Sequence, residues 1–356
     1  LATINLRSFT VLIVDQDDAH RWMIHNLLQA LGVGEVLTAN SNDDALNLLK
    51  RLSKKSITER VDTVDFMICD MFEEVFNGIG MVRWIRMHRD SPNRFLPVIL
   101  MAKAFDPETV AEARGYGATQ FLLKPVTVDA LVDRILTVVN RPRPFVYNTA
   151  YFGPDRRGSV KNVPQERRDL DRSDVRVDRS PLATALERFP NDSVIRIFRP
   201  PNHLKRKAGG GDSSDALFTQ GAVFKAQQEL ERSKNEYVGS ALDYVESLQR
   251  IMAEAGDASD KSEHFQRIYG LAKQLGLQGE TFGYPLVSMV GNSLMRFAGS
   301  GLPNSASSIE LVKVHIDSLT VILRSNIAGD GGDTGRELVS KLQAAIKKIT
   351  RSAAAG

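Results

Sequence analysis

The sequence predicts an α/β domain built on a five-stranded parallel sheet, then an all-α helical bundle, the two joined by a largely disordered linker. Three observations carry this. Val11–Val14, Phe66–Cys69, Pro97–Met101 and Gln120–Leu123 are short apolar runs separated by amphipathic helical segments, the pattern of buried parallel strands. Residues 141–215 lose hydrophobic periodicity and gain Pro, Arg, Asp and Gly. Beyond residue 216 the apolar period becomes helical.

The elements of the first domain, residues 1–140, follow in order. The first run leads into a helix carrying Ile24, Leu27, Leu28 and Leu31 on one stripe, closed by Gly32. A short strand near Glu35–Thr38 precedes a helix that Ser41 or Asn42 caps, with Ala45, Leu48, Leu49 and Leu52 inward. The third strand ends at Asp70, and a loop leads to Gly78 and a helix with Ile79, Val82 and Ile85. The fourth strand ends at Ala102, before a helix over about 107–116. The fifth strand ends at Lys124–Pro125, before a last helix with Val128, Leu131, Ile135 and Val138. Five parallel strands with helices on both faces form the flavodoxin-like arrangement.

In such a sheet the carboxyl ends of the strands open on one crevice, so Asp15, Asp70 and Lys124 are expected to meet there. Two carboxylates opposite one ammonium suit a hard cation and a phosphoryl group.

The acid group after the first strand, the aspartate ending the third, Gly78 eight residues on and the Lys124–Pro125 pair together resemble the receiver domain of bacterial two-component response regulators. The resemblance covers a little over a third of the chain. It implies that Asp70 is the phosphoacceptor and that Lys124 contacts the phosphoryl group. It also implies Mg²⁺, held by Asp15, Asp70 and the backbone carbonyl of Phe72.

Two departures stand out. Gln16 occupies a position that is normally acidic, so it is a weakened metal ligand, with Asp17 as the substitute if the loop shifts by a residue. Ala102 stands where the family has Ser or Thr, which leaves the switch aromatic, Phe121, without its hydroxyl partner. Glu73 and Glu74 add repulsion toward an incoming phosphate.

In the linker, Tyr147, Tyr151 and Phe152 are candidate anchors for a docking strip, and Val194–Phe198 reads as one short strand without an evident partner. The bundle, residues 216–352, shows stripes through Val238–Met252, Phe265–Leu275, Ile309–Leu323 and Leu338–Ile349, with a further helix after Pro285. Its Lys273–Pro285 stretch, ending Thr-Phe-Gly-Tyr-Pro, resembles histidine phosphotransfer domains, with exposed Lys273 on the histidine position. That implies a degenerate bundle that binds and does not transfer. His264 reads as a surface residue and His315 as a satisfied histidine at the core edge.

Composition narrows the function. The lone Cys69 lies in a buried run, which excludes a disulfide framework and fits a reducing, cytoplasmic setting. No basic-then-apolar leader and no run of about 18 apolar residues suggests membrane insertion. A net charge of +3 over 356 residues makes nucleic-acid binding a weak expectation.

The expected function is a phosphorelay response regulator. It is expected to take its phosphoryl group from a histidine kinase or phosphotransfer protein. Its output would be binding to a kinase, to other receiver domains or to a second copy of itself. Turnover of a separate small-molecule substrate is not expected. The alternatives are a non-phosphorylated receiver scaffold and, last, a transcriptional regulator acting through the arginine-rich linker.

Overall fold

The computed structural model describes residues 2–58, 63–71, 78–148, 151–156, 176–178, 196–211, 214–257, 260–299 and 306–354. They fall into two units, Leu1–Glu229 and Leu230–Gly356.

In the first unit a five-stranded parallel sheet has the order β3-β2-β4-β5-β6. Its strands are β2 (Thr10–Val14), β3 (Glu35–Ala39), β4 (Phe66–Asp70), β5 (Val98–Ala102) and β6 (Gln120–Leu123). Helices α1 (Asp18–Ala30), α2 (Asn42–Thr58), α3 (Gly78–Met87), α4 (Pro107–Tyr116) and α5 (Val128–Asn140) alternate with them. This is the flavodoxin-like order. Leu12, Val14, Met67, Cys69, Val98 and Leu100 pack on Ile79, Val82 and Ile85 of α3, so the sheet centre is fully dry on that face. Caps fix the helix starts. Asp106 and Thr127 each accept a backbone N–H in the first turn, and Ser41 accepts that of Asp44.

The stretch expected as a tether is folded at both of its ends. A second sheet, order β8-β7-β10-β9, is built from β7 (Phe145–Asn148), β8 (Tyr151–Pro154), β9 (Arg176–Asp178) and β10 (Arg196–Phe198). The strand foreseen near Val194–Phe198 thus finds its partner in β7, antiparallel, with Ile197 opposite Val146.

The docking-strip reading is overturned. Tyr147, Tyr151 and Phe152 are buried, and Phe145, Tyr147, Phe152 and Phe198 form an aromatic core that Phe95 completes. Phe95 meets Phe145 edge-on at 4.7 Å, a geometry aromatic quadrupoles favour. Residues 157–175 and 179–195, including most of the arginine-rich echo, lie outside the described residues.

Arg86 sits against β7, its guanidinium carbon 5.3 Å from the centre of the Phe145 ring. It is fully buried and donates to the carbonyls of Gly117 at 3.1 Å and Arg94 at 2.8 Å. Burial pulls its guanidinium down to about 9. Gly117 has φ of +100°, and a Cβ there would sit 3.1 Å from the Arg86 side chain, so only glycine closes this corner.

The expected domain boundary at 216 also moves. After α6 (His203–Lys207), β11 (Ala216–Leu217) pairs in parallel with β1 (Ala2–Thr3). The Asn140 side chain donates to the Ala216 carbonyl at 2.8 Å and accepts its N–H at 2.9 Å. These bonds tie residue 216 to the first unit.

The second unit takes α7 (Gln220–Asp257) from Leu230 onward, with α8 (Ser262–Gln278), α9 (Pro285–Gly299), α10 (Ala306–Arg324) and α11 (Gly332–Ala354). The expected stripes bury Ala241, Val245 and Leu248, then Phe265, Ile268, Ala272 and Leu275, then Val312, Ile316, Leu319 and Leu323. Helices α8 and α9 touch backbone to backbone, because a Cβ on Gly291 would lie 2.7 Å from the Gly276 nitrogen. On α11 only Leu342 among the described stripe residues is buried.

Candidate functional site

The site is made by strand ends held in register. Asp70 lies opposite Met101, and Ala102 opposite Leu123. The ladder also runs one residue past the strands, since Asp15 N–H donates to Ala39 at 3.1 Å and Lys124 N–H to Ala102 at 2.8 Å. Gly78 belongs here for a steric reason. A Cβ on it would stand 2.5 Å from the Asp70 carbonyl oxygen, so glycine lets α3 begin directly against the strand end.

Three predicted residues meet. Lys124 Nζ lies 2.7 Å from Asp70 Oδ1 and 3.0 Å from Asp15 Oδ2. The Asp15 side chain is 1 % exposed, Lys124 10 % and Asp70 16 %, so Asp70 is the member best placed to meet an incoming group. Burial raises the Asp70 carboxyl, and although Lys124 pulls it down it stays above the ordinary carboxylate value, with the Asp15 charge adding to the rise. Burial would raise Asp15 as well, but the hydrogen bond from His20 and then the Lys124 charge hold it below that value. Desolvation lowers Lys124, and the two carboxylates outweigh it, so its pKa is raised.

The other predicted residues fare differently. Gln16 is exposed. Asp17 has a structural role. It is the N-cap of α1 and accepts the N–H groups of Ala19 and His20. Ala102 is buried and offers no hydroxyl. Phe121 is half-buried and stacks edge-on against Phe105 at 5.2 Å. Cys69 is buried and burial pushes its thiol up, as a core residue requires. Phe72, Glu73 and Glu74 lie outside the described residues. In the second unit Lys273 is exposed on α8. His315 is buried, with Nδ1 at 2.7 Å from the Leu311 carbonyl and Nε2 at 2.9 Å from Ser293 Oγ.

Sequence reasoning missed His20. It is fully buried, and its Nδ1 lies 2.5 Å from Asp15 Oδ2. The signal was available in the α1 stripe, because stepping back four residues from Ile24 reaches position 20.

Comparison with known proteins meets the same residues. Residues 11–136 match the family described as the response regulator receiver domain. That stretch is a receiver domain. RpfC, a sensory/regulatory protein of Xanthomonas campestris pv. campestris, is 27 % identical over 130 residues, covering 36 % of this chain and 16 % of that protein. The transcriptional regulatory protein ZraR of Escherichia coli O157:H7 is 31 % identical over 121 residues, 34 % of this chain and 24 % of its own. The chemotaxis protein CheY-3 of Vibrio cholerae is 27 % identical over 135 residues, 38 % of this chain and 95 % of its own. The chain therefore spans about a sixth of RpfC and a quarter of ZraR.

Among solved structures, chemotaxis protein CheY4 of Vibrio cholerae aligns at 28 % identity over 36 % of this chain and 98 % of that one, TM-score 0.30. The Mg²⁺-complexed receiver domain of the Arabidopsis thaliana histidine kinase CKI1 aligns at 27 % identity over 38 % and 96 %, TM-score 0.34. Among the described residues, no helix is long and apolar enough to cross a membrane.

Proposed function

We propose that the chain is a phosphorelay response regulator that accepts one phosphoryl group on Asp70. The observation that carries this is Lys124 bridging two strand-end carboxylates, buried Asp15 and partly exposed Asp70, at 3.0 and 2.7 Å. The donor is a phosphohistidine of a kinase or phosphotransfer protein. An Asp70 oxygen attacks phosphorus, the P–N bond breaks, and the bond's electron pair leaves with the donor imidazole, which takes up a proton. The product is an acyl phosphate on Asp70. Lys124 places a point charge beside the transferring oxygens.

The residues present fit Mg²⁺. Asp15 and Asp70 offer hard carboxylate oxygens, both within 3.0 Å of the same ammonium. Two carboxylates suffice for an ion that keeps several waters. When bound, Mg²⁺ supplies positive charge to the phosphoryl oxygens, and Asp15 and Asp70 would hold it.

The helical unit is the output and works by binding other proteins. The exposed Lys273 on α8 stands where a resemblance to histidine phosphotransfer domains would put their histidine, and an ammonium there supports binding without transfer. Turnover of a separate substrate is not part of this reading.

The test is incubation with a small phosphoryl donor and Mg²⁺, read on a phosphate-affinity gel. Wild type shifts once and Asp70→Asn does not; identical behaviour of the two overturns the proposal. A second reading, a receiver scaffold that works unphosphorylated, is favoured by the buried Ala102 methyl where a hydroxyl would transmit the modification. It predicts that wild type shows no donor-dependent shift.

A further inference from the structure

We infer that His20 is a positioning residue of this site: its imidazole Nδ1–H anchors Asp15, so that one carboxylate holds a fixed pose while Lys124 reaches across to Asp70. The inference rests on the proposed function and names a residue of that same site.

Local structure places His20 there. Asp17 caps α1 and sets the first turn, which puts His20 three residues past the cap. Helical side chains tilt toward the N-terminus, so a first-turn residue on the buried stripe points back at the strand end. His20 consequently reaches Asp15 at 2.5 Å with no exposed surface.

Three of the roughly four acceptor sites of the Asp15 carboxylate are then filled, which leaves one on Oδ1 for a metal ion. Oδ1 accepts the Asp17 N–H at 2.9 Å, and Oδ2 takes both His20 Nδ1 and Lys124 Nζ, the latter at 3.0 Å. An ionised carboxylate only accepts, so the shared proton sits on Nδ1. The other ring nitrogen, Nε2, is buried with no hydrogen-bond partner among the described residues. A buried histidine that spends its one polar contact on a carboxylate is fixing that carboxylate's orientation. Partners that orient a ligating group in this way are worth about 10–100-fold in metal affinity.

The arrangement also divides Lys124. With Oδ2 already holding one donor, Asp15 competes less strongly for the ammonium, which sits closer to Asp70, at 2.7 Å against 3.0 Å.

The experiment is calorimetric titration of the full chain with Mg²⁺, comparing wild type, His20→Leu and His20→Asn. Asparagine places an amide N–H close to the position of Nδ1, whereas leucine fills the space without a donor. His20→Leu is expected to weaken Mg²⁺ about tenfold or more, and His20→Asn to stay within about threefold of wild type. Equal affinity of wild type and His20→Leu overturns the role of His20 and leaves the phosphoacceptor reading standing. No Mg²⁺ uptake by wild type overturns both.

Should the leucine variant fail to fold, proton NMR of metal-free wild type decides. The Nδ1–H of His20 is expected as a far-downfield, slowly exchanging resonance correlated to an imidazole nitrogen. Its absence overturns the inference.

Discussion

Replacing Lys124 by methionine tests the electrostatics of the site most directly. The substitution keeps a long side chain in a mostly buried slot and removes an ammonium within 3.0 Å of both Asp15 and Asp70. Taking one partner from a buried ion pair costs about 3–5 kcal/mol, because the remaining charge is left without compensation. Protonation limits that loss. A carboxyl can escape by binding a proton, which at pH 7 costs roughly 4 kcal/mol from an unfolded value near 3.9. At pH 4.5 the same escape costs under about 1 kcal/mol. Lys124→Met is therefore expected to lose about 3–4 kcal/mol at pH 7, and most of that deficit is expected to vanish by pH 4.5.

The sign follows from linkage. Without Lys124 the Asp70 carboxyl, which burial already raises above its unfolded value, rises further, so the folded variant binds an extra proton and gains on wild type as pH falls. Urea unfolding is the assay. The chain's two tryptophans, Trp22 and Trp84, both lie in the first unit, so their fluorescence reports on the unit that carries the site. A Lys124→Met variant as stable as wild type at pH 7, or a deficit that stays constant down to pH 4.5, would refute the reasoning.

Three further outcomes are expected. Arg86→Met strands the Gly117 and Arg94 carbonyls, each worth about 1–3 kcal/mol when unsatisfied, and is expected to cost about 2–4 kcal/mol by the same unfolding assay. Phe152→Ala is expected to cost about 3–5 kcal/mol, since Phe152 is 1 % exposed in the aromatic core; a silent substitution would mean that residues 145–154 do not pack. Gly291→Ala forces α8 and α9 apart and is expected to lower the helical unit's stability by about 1–3 kcal/mol, read by circular dichroism on heating, with Asp70 labelling unchanged.

The centre of the parallel sheet was legible because both faces of its inner strands are dry. Val11–Val14 and Phe66–Cys69 are written as unbroken apolar runs, and each run stops at its polar residue. The second sheet was not legible, for the opposite reason. Its strands are three or four residues long, and β10 pairs with β7 across a gap of roughly fifty residues, so neither period nor turn chemistry marks the pairing. Charged residues mislead in the same way. Arg86 falls four residues after Val82 on the buried stripe, but a guanidinium reads as surface until its carbonyl partners are known. His20 is hidden in the same way, because an imidazole ahead of the aliphatic stripe reads as surface until its carboxylate partner is known.

Gln16 gives the site an uneven charge balance that can be tested. Asp15, Asp70 and Lys124 leave one net negative charge between them. A dication on its own therefore overshoots to one net positive charge. An acyl phosphate on Asp70 adds one further negative charge and brings the loaded site to neutrality. With a carboxylate at position 16 the unmodified site would already be neutral on binding the ion. The amide at Gln16 thus weakens the cation before modification and couples its binding to the phosphoryl group. Gln16→Asp is expected to raise Mg²⁺ affinity of the unmodified chain about tenfold or more, because ligand charge count sets the affinity of hard-cation sites. It is expected to raise the affinity of the donor-treated chain by less. Equal gains in the two states would show that the amide acts on the metal alone, and no gain in either would place Gln16 away from the cation.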